Sequence, residues 1–215
     1  MRARITPYWY GFWLMIDVTS LADAAGADVA QVLTDALLDA PGWRGIGPDR
    51  ERHRRFVMWH YHRMLFRKAL RWGRPGYAAF REGRLVGVAV VFDSDGWPLP
   101  EPISMLLDVP AFALAGVSAA VRGVRAGATM QRAHFDEPHL YFSQLSVDPS
   151  VQRCGIGRAL MARVIADADA VALPVYAETA KPHVVAFCRS FGFVEIGREE
   201  LPRGVPLWLM LRPHV

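Results

Sequence analysis

With 215 residues, 52% of them hydrophobic and 21% charged, the chain can bury one good core but is cramped for two domains. That composition excludes a disordered or solvating chain. A net charge of +4 and an isoelectric point near 9.4 raise nucleic acid as a partner. Lys68 and Lys181 are the only lysines, however, and the arginines are scattered rather than striped, so a polyanionic small ligand explains the balance more simply.

Residues 1–16 place Arg2 and Arg4 before an aromatic run, Tyr8 to Ile16, which mimics a signal peptide. The run is too aromatic for one and too short to span a bilayer, so the expectation is a leader or strand extension, with a single domain over 17–215. Asp17 to Ser20 ends a first strand, and Leu21 to Leu38 has the apolar spacing of an amphipathic helix. Residues 41–48 read as a loop, and Asp49 to Trp72 as a long helix closed by Gly73. The basic run Arg50 to Arg55 opens that helix and reads as a solvated face. Trp59, His60, Tyr61 and His62 are either acceptor-pocket lining or core.

Gly76 to Arg81 and Leu85 to Phe92, joined at Glu82-Gly83, form a β-hairpin. Residues 93–102 are loop-like, and Ala111 to Ala133 is helical without an uncharged run long enough to cross a membrane. After the strand Leu140 to Val147 the spacing gives a helix from Ala159 to Ala168 and a strand from Val175 to Glu178. A helix from Pro182 to Phe191, capped by Gly192, and a last strand from Leu207 to Leu211 complete the chain. Cys154 and Cys188 have no zinc spacing and make no disulfide framework, so a reducing cytoplasm is the expected setting and no metal is expected.

The most informative stretch joins the strand ending at Val147 to the following helix. Asp148-Pro149 breaks the strand, and Gly155 and Gly157 turn the chain into an Ala/Leu/Met/Val-rich helix. Backbone N–H groups from Arg153 to Arg158 are unpartnered at a helix start, the helix dipole adds partial positive charge, and glycine allows close approach of an anion. Arg153 and Arg158 add cationic side chains. No Lys-Ser/Thr pair follows the second glycine, which disfavours a magnesium-nucleotide loop, and Leu160 stands where a dinucleotide fingerprint needs a third glycine. What remains is a phosphate cradle of another kind.

Leu145-x-Val147-x-Pro149, then Gln152-x-x-Gly155-x-Gly157 with Ala159-Leu160 behind it, resembles the acyl-coenzyme A pyrophosphate loop of the GNAT superfamily of N-acetyltransferases. Val175 to Thr179 followed by Phe187-Cys188-Arg189-Ser190-Phe191-Gly192-Phe193 is similar to the family's later strand and Phe-Tyr-x-x-x-Gly-Phe segment. Within the superfamily, the Glu178-Thr179 pair and Trp208 in the last strand most resemble the puromycin N-acetyltransferase branch. The resemblance spans about Asp17 to Leu211 and implies an α/β GNAT fold: a mixed, mostly antiparallel twisted sheet flanked by helices, with splayed central strands binding coenzyme A. It further implies acetyl-coenzyme A as co-substrate, held by Leu145, Ser146, Val147, Gln152, Arg153, Cys154, Gly155, Ile156, Gly157 and Arg158.

Acetyl transfer to an amine needs a deprotonated amine, a stabilised oxyanion and a leaving thiolate. An aliphatic amine with a pKa of about 10 is mostly protonated at neutral pH, so a base has to remove its proton. Glu178, at a strand end, is the first candidate, against a reading in which it pairs with Lys181 or Arg189; His139 and Tyr141 share one face of the central strand and are alternatives. The resemblance assigns the oxyanion to the Leu145 N–H and the pantetheine arm to backbone at Leu145 and Val147. Where the family usually has a tyrosine that protonates the thiolate, this chain has Cys188, either a proton donor or a small buried hydrophobe. Lys181 stands where asparagine is frequent in the family. The expectation is an acetyl-coenzyme A-dependent N-acetyltransferase of a small-molecule amine, monomeric or homodimeric, with no nucleic-acid or membrane partner. The rivals are a protein lysine or N-terminal acetyltransferase, a non-catalytic acyl-coenzyme A sensor and, third, nucleic-acid binding by the basic helix, which would show as strongly salt-dependent duplex affinity.

Overall fold

A computed structural model describes residues 3–5, 16–74, 76–94, 110 and 113–214. Its frame is one eight-stranded sheet in the order β1-β2-β3-β4-β5-β6-β8-β7. The strands are β1 (Ala3–Ile5), β2 (Ile16–Ser20), β3 (Tyr77–Arg81), β4 (Arg84–Asp93), β5 (Leu140–Val147), β6 (Val175–Thr179), β7 (Val194–Leu201) and β8 (Val205–Arg212). The helices are α1 (Gly26–Leu37), α2 (Pro41–Ile46), α3 (Glu51–Trp72), α4 (Val117–Ala133), α5 (Ile156–Ala170) and α6 (Pro182–Arg189).

Neighbouring strands are antiparallel except β5 and β6, which run parallel, as the crossover through α5 requires. β4 explains the layering. From Leu85 to Phe92 every side chain is buried, so both sheet faces must be covered. One face packs Val86, Phe142, Val175 and Ala177 against Ile156, Leu160 and Val164 of α5 and Val185 of α6. The other packs Val88, Val90, Tyr141 and Tyr176 against Val29 and Leu33 of α1, Leu65 and Phe66 of α3 and Ala126 of α4.

Several expectations are corrected. Residues 41–48 hold α2, a short helix with Pro41 in its first turn, where a missing N–H does no harm. The first helix is preceded by a 3-10 turn at Leu21–Asp23 whose N-cap is Ser20. α5 begins at Ile156, three residues earlier than its periodicity suggests, and β7 is a strand the sequence reading omitted. Residues 95–102 of the predicted loop and 111 and 112 of the predicted third helix lie outside the described residues, as do 6–15 of the predicted leader or strand extension. Ala3–Ile5 pairs antiparallel with β2. No helix among the described residues is long and apolar enough to cross a membrane.

The basic run at the head of α3 is not all solvated face. Arg54 is 6% exposed, and its guanidinium donates to the carbonyls of Leu38, Pro48 and Asp49 at 3.1 Å each. Arginine's fork of donors suits a corner where several carbonyls end without partners. Arg54→Ala strips three carbonyls of their donor, two of them buried, and is expected to cost about 2–3 kcal/mol in denaturant unfolding. Arg54→Lys is expected to recover only part of it, because one ammonium cannot span the three carbonyls.

Candidate active site

β5 and β6 meet and then part. Their ladder contains just Leu140 against Val175 and Tyr141 against Tyr176, although β5 continues to Val147 and β6 to Thr179. On its other edge β5 stays paired with β4 throughout, with a register shift that leaves Ser143 as an extra residue. Leu140 N–H donates to Pro174 on the β6 side, and Asp148 N–H donates to Val86 on the β4 side. Counting back from Asp148 by strand alternation, the N–H and C=O groups of Leu145 and Val147 face away from β4, into the gap left by β6. Ser146 is different: its backbone faces β4, and its hydroxyl is buried and unpartnered on the opposite sheet face. Its place among the cofactor-contacting residues is therefore not supported by its backbone.

The loop after β5 is set by its own hydrogen bonds. Asp148 accepts from Ser150 N–H at 2.9 Å, and Gln152 Nε2 donates to the Val147 carbonyl at 3.1 Å, tying the loop to the strand end. Arg153 and Gly155 have φ of 63° and 83°. Positive-φ residues of this kind turn successive N–H groups into an anion-binding concavity. The first α5 hydrogen bond runs from Ala159 N–H to the Gly155 carbonyl, so the N–H groups of Ile156, Gly157 and Arg158 precede the helical ladder. A side chain added at Gly155 would meet nothing within 4 Å, so the glycine serves conformation and leaves open space. At Gly157 an added Cβ would make ordinary contacts with Val147 and Phe187 at 3.7 and 4.0 Å.

These differences separate the two glycines. Gly155→Ala is expected to cost about 1–2 kcal/mol and to weaken acetyl-coenzyme A binding, because the left-handed cap disfavours a Cβ. Gly157→Ala is expected to fold like the parent in the same thermal melt. Arg158 lies over the Phe191 ring at 4.7 Å, linking α5 to the end of α6, while Cys154 is exposed.

Glu178 sits on β6 just past the point of divergence. Its side chain is 3% exposed, and burial lifts its pKa to about 7 against the opposing pull of two tyrosine hydroxyls. Tyr176 Oη donates to Oε1 at 2.8 Å and Tyr141 Oη to Oε2 at 3.3 Å, while His134 Nδ1 stands 4.0 Å from Oε1. The expected alternative pairing is not found: Arg189 reaches Glu195 at 3.1 Å, and Lys181 is not among the partners of Glu178. His134 is pushed down to about 4 by burial and by neighbouring His139, whose Nδ1–H donates to the Glu137 carbonyl at 2.7 Å. Burial also raises the Tyr141 phenol well above its ordinary value, so its proton is held tightly. Sequence reasoning passed over His134 and Tyr176; the period-2 alternation that puts Tyr176 on the face of Glu178 was the available signal.

The buried carboxyl has a consequence for stability. Its folded pKa near 7 lies above the ordinary 4.5, so the folded state is favoured by its protonation at low pH and loses that advantage as pH rises through 7. The loss amounts to roughly 3 kcal/mol. Glu178→Gln is expected to remove this slope from urea stability measured between pH 5 and 8, leaving the opposite, acid-side slope of the buried histidines His62, His134 and His139, whose pKa values burial lowers.

Cys188 is 4% exposed within the core beside Val185 and Phe193, and burial pushes its thiol up to about 11. Among the helix α3 aromatics, His62 is fully buried and shares a 3.0 Å hydrogen bond with Thr34, while Tyr61 packs edge-on to Trp43.

The family model described as Acetyltransferase (GNAT) family matches residues 38–193, which holds β5, the cradle and Glu178. The chain belongs to the GNAT family of acetyltransferases. This GNAT protein is an enzyme of acyl transfer from acetyl-coenzyme A. Solved structures share its fold along nearly the whole chain. One, described as histone acetyltransferase HPA2 and related acetyltransferase from Corynebacterium glutamicum, has 21% identity, covers 92% of this chain and 96% of that one, and gives a TM-score of 0.66. The ribosomal-protein-S18-alanine N-acetyltransferase from Escherichia coli has 14% identity over 93% and 94% of the two chains, with a TM-score of 0.52. Naa20 from Chaetomium thermophilum, in complex with a bisubstrate analogue, has 18% identity over 92% and 86%, with a TM-score of 0.51. A comparison with curated protein sequences gives no significant match.

Proposed function

We propose that this GNAT enzyme acetylates a primary amine on a small molecule, using Glu178 as the general base. The observation that carries the reading is a buried carboxyl poised near neutrality where β5 and β6 diverge, held by tyrosines and free of any salt bridge to a cation of the described chain. Such a group is half ionised at working pH and strong enough as a base to matter. Acetyl-coenzyme A brings the activated acetyl group. The N–H groups of Ile156, Gly157 and Arg158, with Gly155 leaving room, are the donors for its pyrophosphate, and Leu145 N–H faces the gap as a donor to the acyl oxygen.

Tyr141 serves in this reading as a hydrogen-bond donor to Glu178 and not as a base. Cys188 is read as a core side chain, its burial among Val185 and Phe193 leaving the thiolate to depart without a dedicated acid. Cys188→Ala is accordingly expected to keep kcat within about threefold while losing about 1–2 kcal/mol of stability to the small cavity. The motif pattern nearest the puromycin N-acetyltransferase branch supports an aminonucleoside or antibiotic-like acceptor: Glu178-Thr179 leads into α6, and Thr179 pairs in register with Trp208 of β8. Coenzyme A thiol release measured against a panel of small amines, with lysine peptides and N-terminal peptides alongside, tests the acceptor class. Release with peptides alone would move the assignment to protein acetylation.

A further inference from the structure

Tyr176 is fully buried, yet its hydroxyl lies between two acceptors, Glu178 Oε1 at 2.8 Å and the carbonyl of Ala133, the last residue of α4, at 3.2 Å. A position that needed aromatic bulk alone would be met by phenylalanine. The hydroxyl has one proton to donate and can accept another bond. While Glu178 is ionised, the phenol proton goes to Oε1, the charge-assisted and stronger bond. Once Glu178 carries a proton, its own O–H can donate back to the phenol oxygen, and the phenol proton turns to the Ala133 carbonyl.

Resting on the reading of Glu178 as the base, we propose that Tyr176 is a positioning residue. It holds the Glu178 carboxyl in one place through both halves of proton transfer by turning its hydroxyl proton between Glu178 Oε1 and the Ala133 carbonyl. The proton balance is simple: the amine proton ends on Glu178, Tyr176 loses none, and no phenoxide forms. Burial and the neighbouring carboxylate, which hold the Tyr176 phenol proton far above its ordinary affinity, keep it so. The other groups facing this point are Tyr141 from β5 at 3.3 Å and His134 after α4 at 4.0 Å, with the His139 ring tilted against His134, Asp136 acting on His134, and Tyr61 of α3 acting on Tyr141. Opposite Glu178 in β8 is the apolar Leu209.

The test compares full-length wild type, Y176F, Y141F and E178Q by infrared titration of the protonated carboxyl band, with E178Q identifying the Glu178 contribution. The pH profile of kcat/KM is measured in parallel. In Y176F the midpoint is expected to rise, by up to about one pH unit, because the charge-assisted bond lost to ionised Glu178 is stronger than the bond lost to its protonated form. Y141F, losing the longer bond, is expected to move it less. In wild type the protonated carboxyl is expected at the frequency of a hydrogen-bonded donor. An unmoved midpoint in Y176F, even with lower kcat or Tm at every pH, overturns the proposal, as does a free-carboxyl band in wild type. Should E178Q retain wild-type kcat/KM, the base assignment falls separately, while the infrared midpoint still reports whether Tyr176 holds Glu178.

Discussion

Replacing Glu178 by Gln is expected to lower kcat/KM for the amine by about 10²–10⁴-fold at pH 8 while leaving acetyl-coenzyme A binding nearly unchanged. The amide keeps the side chain's volume; its oxygen can accept from one of the two tyrosines while its NH2 donates to the phenol oxygen of the other, so the fold stays intact. It cannot take a proton at neutral pH. Because burial lifts the wild-type carboxyl to about 7, the acid limb of kcat/KM is expected there, and the same limb is expected to vanish in Glu178→Gln. A variant that binds acetyl-coenzyme A normally and keeps wild-type turnover would assign proton removal elsewhere.

The largest loss of stability is expected at Gly76, which joins α3 to β3. Its φ is +79°, and a Cβ there would stand 2.1 Å from the Ala89 carbonyl oxygen and 3.0 Å from its carbon. Backbone atoms cannot swing away as a side-chain tip does, so the β3–β4 ladder itself must move. The Gly76 carbonyl also accepts from Leu21 N–H at 3.0 Å, which fastens the turn before α1. Gly76→Ala is therefore expected to cost about 3 kcal/mol or more, a fall in Tm of roughly 10 °C. By contrast Gly83→Ala, with a similar φ of +77° and open space around it, is expected to lose only the conformational part of that cost. Calorimetry of the pair separates clash from backbone preference.

The strand, loop and helix around Gly155 were legible because each has a local cause: a run rich in apolar and aromatic residues, a proline break and a glycine that tolerates the left-handed cap found there. Glu178 was legible as a strand-end carboxylate. Its setting was not, because Tyr141 and His134 come from other segments and reach it through the β5–β6 register, which no local pattern encodes. The divergence of β5 and β6 is likewise a property of two strands together. Arg54 was misread because a helical run of Glu, Arg and His gives no sign of which arginine meets the corner carbonyls of Leu38, Pro48 and Asp49. β7 escaped notice since it is an edge strand whose charged residues, Glu195, Arg198, Glu199 and Glu200, break the apolar alternation.

The most direct measurement of the account is coenzyme A thiol release by the wild-type protein with acetyl-coenzyme A and a panel of small amines, with thermal melting under the same conditions. Acetyl-coenzyme A at ~100 times its dissociation constant is expected to stabilise the fold by about 2.7 kcal/mol, and at least one small amine is expected to drive thiol release with an acid limb near pH 7. The melting shift without thiol release for any small amine would contradict the small-molecule acetyltransferase proposed here and move the acceptor to a protein amine.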